Sequence, residues 1–178
     1  MSPDDLLAIA KRVVERAGPS EQIEVACSHG RSTTVRAYEG EVESLTTAEN
    51  HAIGVRVLVE GREGFASAGS LDDDVVAAML AEARDNARFS EADPHVGIAE
   101  PDGVEAVDID LWRDAVPATP NQQKIDLALE LERRVRAADD RITGVRVAAY
   151  GDSAGAFALA STAGIEAASR ATSASVSV

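Results

Sequence analysis

The residue types that do chemistry are sparse in this chain. Its histidines are His29, His51 and His95, and its one cysteine is Cys27. No two histidines stand four apart, so the helical zinc pair of the HExxH type is absent. Cys27 and His29 sit at i and i+2 on one predicted strand face, but zinc takes three or four protein ligands and no second pair is in view. His29 is read beside a turn at Gly30, His51 at the opening of a strand, and His95 in an acidic linker. These readings assign no metal ligand, no catalytic residue and no cofactor-binding residue to the chain.

Nucleophilic chemistry has one superficial candidate. "GDSAG", residues 151–155, has the GxSxG spacing of the hydrolase nucleophile elbow. That elbow needs a strand, a sharp turn and a helix, whereas "AFALAST" follows here and reads as another strand. A Ser153 nucleophile also needs a base within hydrogen-bond reach, and no histidine follows His95. Asp152, Ser153 and Gly155 are therefore expected to form a hairpin turn. The carboxylate sets Asp72-Asp73-Asp74 and Asp139-Asp140 suit a helix start and a solvated helix end. Asp108 and Asp110 offer two cation ligands on an extended segment, too few for a calcium loop. "GREGFASAG" lacks the phosphate-cradling GxxxxGK[ST] pattern. Arg56 and Arg62 fit a peptide or carboxylate contact, or cross-strand pairing with neighbouring glutamates.

The elements that must position these residues are legible from periodicity. Ser2, Pro3, Asp4 and Asp5 make a helix start, and Leu6, Ile9, Ala10, Val13 and Ala17 recur at helical spacing before Gly18-Pro19. From Gln22 the period becomes two. "QIEVACS", "STTVRAYEG", "EVESLTTAE", "HAIGVRVLVE" and "GFASAGS" predict five strands, with turns at His29-Gly30, Glu39-Gly40, Glu49-Asn50 and Glu60-Gly61. A second helix is predicted over 72–89. Residues 90–119, acidic and containing Pro94, Pro101 and Pro117, read as an irregular connection. Thr119-Pro120-Asn121-Gln122 is a capping-box pattern opening a third helix to about Ala138, with Leu127, Ala128, Leu131, Val135 and Ala138 on its buried side. About three strands complete the chain.

The expected fold is α/β of the α+β type. Its sheet is mainly antiparallel, with helices packed on one face, in the order α-β5-α-loop-α-β3. The domain reading is 1–93 as an N-terminal domain, 94–119 as the connection, and 120–178 as the start of a further domain. "GVRV" occurs at 54–57 and at 144–147, read as a chance repeat in a chain rich in valine and alanine. The tail Ala174-Ser175-Val176-Ser177-Val178 alternates without a stop signal. It predicts a chain that is part of something longer, with its last strand paired.

Composition excludes some functions. The chain has 178 residues, 45% apolar and 3% aromatic, with 17 basic against 31 acidic residues and a net charge of −14. Nucleic-acid binding needs clustered positive charge, and this chain offers the reverse. No apolar run reaches the roughly 18 residues of a membrane helix. The amphipathic N-terminus is unlike a signal peptide and the single cysteine fits a reducing compartment, so the expected location is the cytoplasm.

The order of parts resembles the TldD/PmbA family, also called modulators of DNA gyrase. Three stretches carry the resemblance: "YEGEVESLTTAENHAIGVRVLVEGREGFASAGSLD" at 38–72, "FSEADPHVGIAEP" at 89–101, and "DDRITGVRVAAYGDSAGAFALASTAGIEAAS" at 139–169. The last is similar to the family's entry into its central domain, where a strand ends in a G-[ND]-S-x-G turn. The resemblance implies a metalloprotease-like protein acting on peptides or unfolded segments. It implies a homo- or hetero-oligomer with a TldD/PmbA-type subunit; the acidic charge and the lack of a long apolar run separately argue against direct nucleic-acid contact and a membrane span. In the family a TldD-type subunit carries a zinc-binding HExxxH motif and a PmbA-type (TldE) subunit lacks it. That motif lies beyond this stretch, so zinc belongs to the full-length assembly and no cofactor is expected in this chain. "VDIDLWRDAVPATPNQQKIDLALELE" is more similar to the PmbA type.

The implied role is a scaffold or subunit-contact part that is inactive alone. Two rivals stand beside it. One is a stand-alone peptide- or protein-binding module that captures a strand by β-augmentation. The other is an independent hydrolase using Ser153 or a carboxylate pair.

Overall fold

In the computed structural model of the chain, residues 1–104, 107 and 109–178 are described. The elements are α1 (Pro3–Val14), β1 (Gln22–Tyr38), β2 (Glu41–Val59), β3 (Arg62–Ala68), α2 (Asp73–Phe89), α3 (Ala115–Ala118), α4 (Asn121–Ala138), β4 (Ala148–Ser161) and β5 (Glu166–Ser177). The strands form a five-stranded sheet in the order β3-β2-β1-β4-β5. β2 and β3 are antiparallel, in register from Ile53↔Ala68 to Val59↔Arg62. The α+β class with an antiparallel sheet is as expected, and the last strand is paired, with β4.

The strand count needs correction. The first five predicted strands are three, because β1 runs straight through His29-Gly30 and β2 through Glu49-Asn50. The reason lies in the backbone. Both real hairpins, Glu39-Gly40 (φ 53° and 81°) and Glu60-Gly61 (φ 51° and 73°), turn with two successive positive φ angles. That is the type I′ requirement. His29, Gly30, Glu49 and Asn50 have no positive φ and stay extended. The three strands predicted at the end are two, joined by a turn with Gly164 at φ 94°. The second "GVRV", at 144–147, lies in no strand.

The chain divides into two compact units. The first comprises Met1–His29, Asn50–Asp110 and Ala156–Arg170; the second comprises Gly30–Glu49, Leu111–Gly155 and Ala171–Val178.

In the first unit, Leu6, Ala10 and Val13 of α1 and Val76, Met79, Leu80 and Ala83 of α2 share one core with Ile23, Val25, Ile53, Val55 and Val57. Both helices thus cover the same face of this part of the sheet. Each fully buried Leu, Ile or Val here contributes about 1.5–3 kcal/mol. α1 starts as predicted: Ser2 Oγ accepts from the Asp5 N–H and Asp5 Oδ2 accepts from the Ser2 N–H, a reciprocal capping box. β3 and α2 approach unusually closely at Gly64. A Cβ there would lie 2.0 Å from the Ala83 carbonyl oxygen and 2.3 Å from the Ala87 nitrogen. Only glycine permits that contact.

In the second unit, Val35, Ala37, Ala128, Val145, Ala148 and Tyr150 form the core. The face α4 buries is centred on Lys124, Ala128 and Glu132. The predicted Leu127 and Ala138 are exposed, Leu127 at 48%. The predicted capping box is also absent. Pro120 takes the N-cap position without a side-chain cap, and Thr119 Oγ1 donates instead to the Ala115 carbonyl at 2.7 Å.

Among the described residues no helix is long and apolar enough to cross a membrane.

Candidate functional site

The most chemically capable group in the first unit is a histidine pair. The strand alternation that sends Val25 and Cys27 into the core carries His29 to the same side, half-buried. His51 does not open a strand as expected; it lies inside β2, two residues before the buried Ile53 and on the same face. Their rings are stacked, with centroids 4.5 Å apart and planes 19° from parallel. Sequence spacing hid this pair, because twenty-two positions separate the two residues. The signal was the hairpin itself: His29 lies ten residues before Glu39 and His51 eleven after Gly40. Cys27 is fully buried, and that burial pushes its thiol up to about 11, so it packs as a small apolar residue. His95 stands apart in a turn, its N–H donating to Asp93 Oδ1 at 2.8 Å.

The arginines considered as ligand contacts are committed to the fold. Arg56 Nε lies 3.6 Å from Glu24 and 3.8 Å from Glu63, while its Nη2 donates to the Gly97 carbonyl at 2.8 Å. The cross-strand reading of Arg56 therefore holds. Arg62 donates to the Ser90 carbonyl. A cleft of about 420 Å³ opens beside it, lined by Glu21, Arg62, Arg84 and Arg88 among others. Two of its arginines are already paired with carboxylates. Arg84 grips Glu21 through Nε (2.9 Å) and Nη2 (2.7 Å), and Arg88 pairs with Asp85 at 2.7 Å. The fork from Arg84, with a further hydrogen bond from the Gly18 N–H, holds the Glu21 carboxyl below its ordinary value.

In the second unit the polar residues of "GDSAG" serve packing. Residues 151–155 lie inside β4, so the expected hairpin turn is overturned, and with it the turn that the resemblance suggested at this point. An uninterrupted run of small residues in an extended ladder makes no elbow. Ser153 Oγ faces Ser173 Oγ at 2.9 Å. Asp152 receives Lys124 Nζ at 2.5 Å, and Tyr150 Oη donates to it at 2.9 Å. Burial pushes the Tyr150 phenol up to about 12, with Asp152 adding to the effect. Lys124 Nζ also donates to the buried Thr33 Oγ1 at 3.2 Å. Glu132 Oε2 accepts from the Gly40 N–H at 2.9 Å, fixing the β1–β2 turn to α4.

The remaining carboxylate candidates are dispersed. Asp72 caps α2 in φ/ψ only and accepts from Ser70 Oγ at 2.7 Å. Asp139 is chelated by Arg141 at 2.9 and 2.7 Å, which holds its carboxyl below the usual range. Of the pair Asp108 and Asp110, Asp108 lies outside the described residues.

These polar clusters are set on the helices and strands of an α+β fold. Two family models match the chain: PmbA/TldA metallopeptidase domain 1 over residues 23–87, and PmbA/TldA metallopeptidase central domain over residues 114–178. The chain belongs to the PmbA/TldD family of metallopeptidase-like proteins. It is 32% identical to Metalloprotease PmbA of Escherichia coli O157:H7 over 138 residues, covering 76% of this chain and 30% of that protein. It is 26% identical to a Metalloprotease PmbA homolog of Haemophilus influenzae over 162 residues, covering 84% of this chain and 35% of the relative. In fold it matches a protein described as a modulator of DNA gyrase from Bacteroides thetaiotaomicron, with TM-score 0.85 and 19% identity over 97% of this chain and 40% of the other. It also matches TldE from Thermococcus kodakarensis, with TM-score 0.74 and 16% identity over 96% and 37%. The chain spans about a third of the length of the curated relatives it matches.

Proposed function

We propose that this chain is the N-terminal region and the start of the central domain of a PmbA-type protein in a metallopeptidase-like assembly. In this reading it acts in proteolysis of peptides or unfolded segments as scaffold and subunit contact, in the cytoplasm, without catalytic residues of its own. The observation that carries the reading is the pair of family domains in order, over 23–87 and 114–178. The two curated relatives named PmbA favour that subtype over the TldD type. The same spans favour a sequential division, with an N-terminal domain over 1–93, a connection over 94–119 and a central domain beginning at 120. The family's implied zinc has no HExxxH motif here to hold it, so no catalytic step is routed through a metal in this chain. The test is co-purification of the chain with a TldD-type subunit, followed by light scattering. A defined complex is expected. A chain that stays alone at micromolar concentrations contradicts the subunit-contact role.

A second reading has its own observation. β5 ends the sheet, and eleven of its twelve positions are exposed. At Thr172 that edge already meets the chain, the Thr172 N–H donating to the Leu111 carbonyl at 3.0 Å, and the stretch beyond it offers an edge that accepts an added strand from a peptide. Saturable binding of an extended peptide, lost when proline replaces Ala174, whose N–H faces the outer edge as that of Thr172 does, favours the binding module.

A further inference from the structure

We propose that the second unit binds a free α-amino acid beside the β1–β2 turn and α4, with Glu132 taking its ammonium and Arg136 and Arg146 its carboxylate. Glu132 carries the site. Its side chain is only 2% exposed. Oε2 accepts from the Gly40 N–H, but Oε1 has no hydrogen-bond donor among the described residues. Arg136 Nη1 stands 3.8 Å from Oε1, beyond hydrogen-bond reach. A buried carboxylate oxygen without a donor is costly, and native structures seldom keep one. A donor from outside the chain would satisfy it. Glu132 also lines a hollow of about 360 Å³, together with Tyr38, Glu39, Arg136, Val145 and Arg146. That volume lies within the range of about 300–1,000 Å³ typical of small-molecule sites. Every one of these residues belongs to the second unit.

The charges of the lining select the ligand. A lone ammonium would meet two guanidiniums here, and a lone carboxylate would meet Glu39 and Glu132. A ligand bearing both charges on one carbon answers both. Glu132 Oε1 and Arg136 Nη1 set an acceptor and a donor side by side, as the adjacent ammonium and carboxylate of an α-amino acid require. Arg146 is exposed and carries no ion pair among the described residues, so its planar fork is available to a carboxylate. A second hollow, of about 510 Å³, shares Glu132 and Arg136 and adds Leu129 and Ala137. Those two residues offer an apolar wall to an aliphatic side chain.

The experiment is calorimetric titration of L-leucine into the purified 178-residue chain. Saturable binding of one molecule per chain is expected. N-acetyl-L-leucine lacks the ammonium and isopentylamine lacks the carboxylate, and each should bind roughly tenfold more weakly or worse. Glu132→Gln keeps an acceptor for the Gly40 N–H and should weaken leucine binding by about the same factor. Arg146→Ala, at an exposed position, should also weaken it. Arg88→Ala, in the first unit, should leave it unchanged. Circular dichroism checks the fold of each variant. Where Glu132→Gln fails to fold, backbone amide shifts of the unaltered chain give the answer: leucine should move the Gly40 and Arg146 signals and leave Arg88 in place. No binding tighter than about 1 mM overturns the proposal. So does binding that both Glu132→Gln and Arg146→Ala retain, or that either control ligand matches.

Discussion

Lys124 Nζ stands 2.5 Å from Asp152 Oδ2, and the two side chains are only 5% and 6% exposed. A buried pair of this kind gives little net stability when intact. Breaking it leaves a charge without its partner and costs far more. Lys124→Met should therefore destabilise the chain by about 3–5 kcal/mol, and Lys124→Met with Asp152→Leu should recover much of that loss. Urea denaturation of the two variants checks both expectations. A single variant within about 1 kcal/mol of the parent would contradict the account of the pair.

Gly64 gives a steric prediction. With the Ala83 carbonyl 2.0 Å from where a Cβ would stand, Gly64→Ala must push β3 off α2. The expected cost is about 2–4 kcal/mol, at the severe end of overpacking. Gly97→Ala is the control, because no atom lies within 4 Å of its Cβ position. Thermal melts of the two variants should separate them clearly.

The Glu21–Arg84 fork predicts a pH dependence. The Glu21 carboxyl is held below its ordinary value of 4.5, chiefly by the Arg84 hydrogen bonds. Its stabilisation is therefore full above pH 4.5 and is lost as pH falls through the lowered folded value. Glu21→Gln should cost about 1–2 kcal/mol at neutral pH. It should also flatten the acid limb of the stability curve below pH 4.5. Urea midpoints measured from pH 7 down to pH 3 test the sign.

Ser153 is expected to be dispensable. Its hydroxyl meets the Ser173 hydroxyl on the exposed part of β4 and β5. Ser153→Ala should change stability by less than about 0.5 kcal/mol. It should also leave any complex with a TldD-type subunit intact, as light scattering would report.

These predictions mark where sequence reasoning carries and where it stops. α1 was legible because its signals are local: a cap at Ser2, a proline at Pro3, and apolar spacing through Val13. The two true hairpins were legible as Glu-Gly pairs, but the same rules admitted His29-Gly30 and Glu49-Asn50. Only the backbone angles separate a turn from a continuing strand there. α4 misled hydrophobic patterning, since Lys124 and Glu132 are buried to satisfy Asp152 and the Gly40 N–H. Nothing local to the helix encodes those partners, which lie 28 and 92 residues away. The histidine pair was hidden for the same reason. Its proximity is a property of strand pairing, and ligand-spacing rules describe helices and short loops.

The central claim is that this chain is a non-catalytic part of a metallopeptidase-like protein. Its most direct test is a cleavage assay on fluorogenic peptides and an unfolded protein, using the purified chain alone, with saturating Zn²⁺ and with chelator. The account predicts no turnover above the protein-free control in any condition. Turnover by the pure chain that rises with Zn²⁺, vanishes with chelator and is lost in His29→Ala or His51→Ala would contradict it.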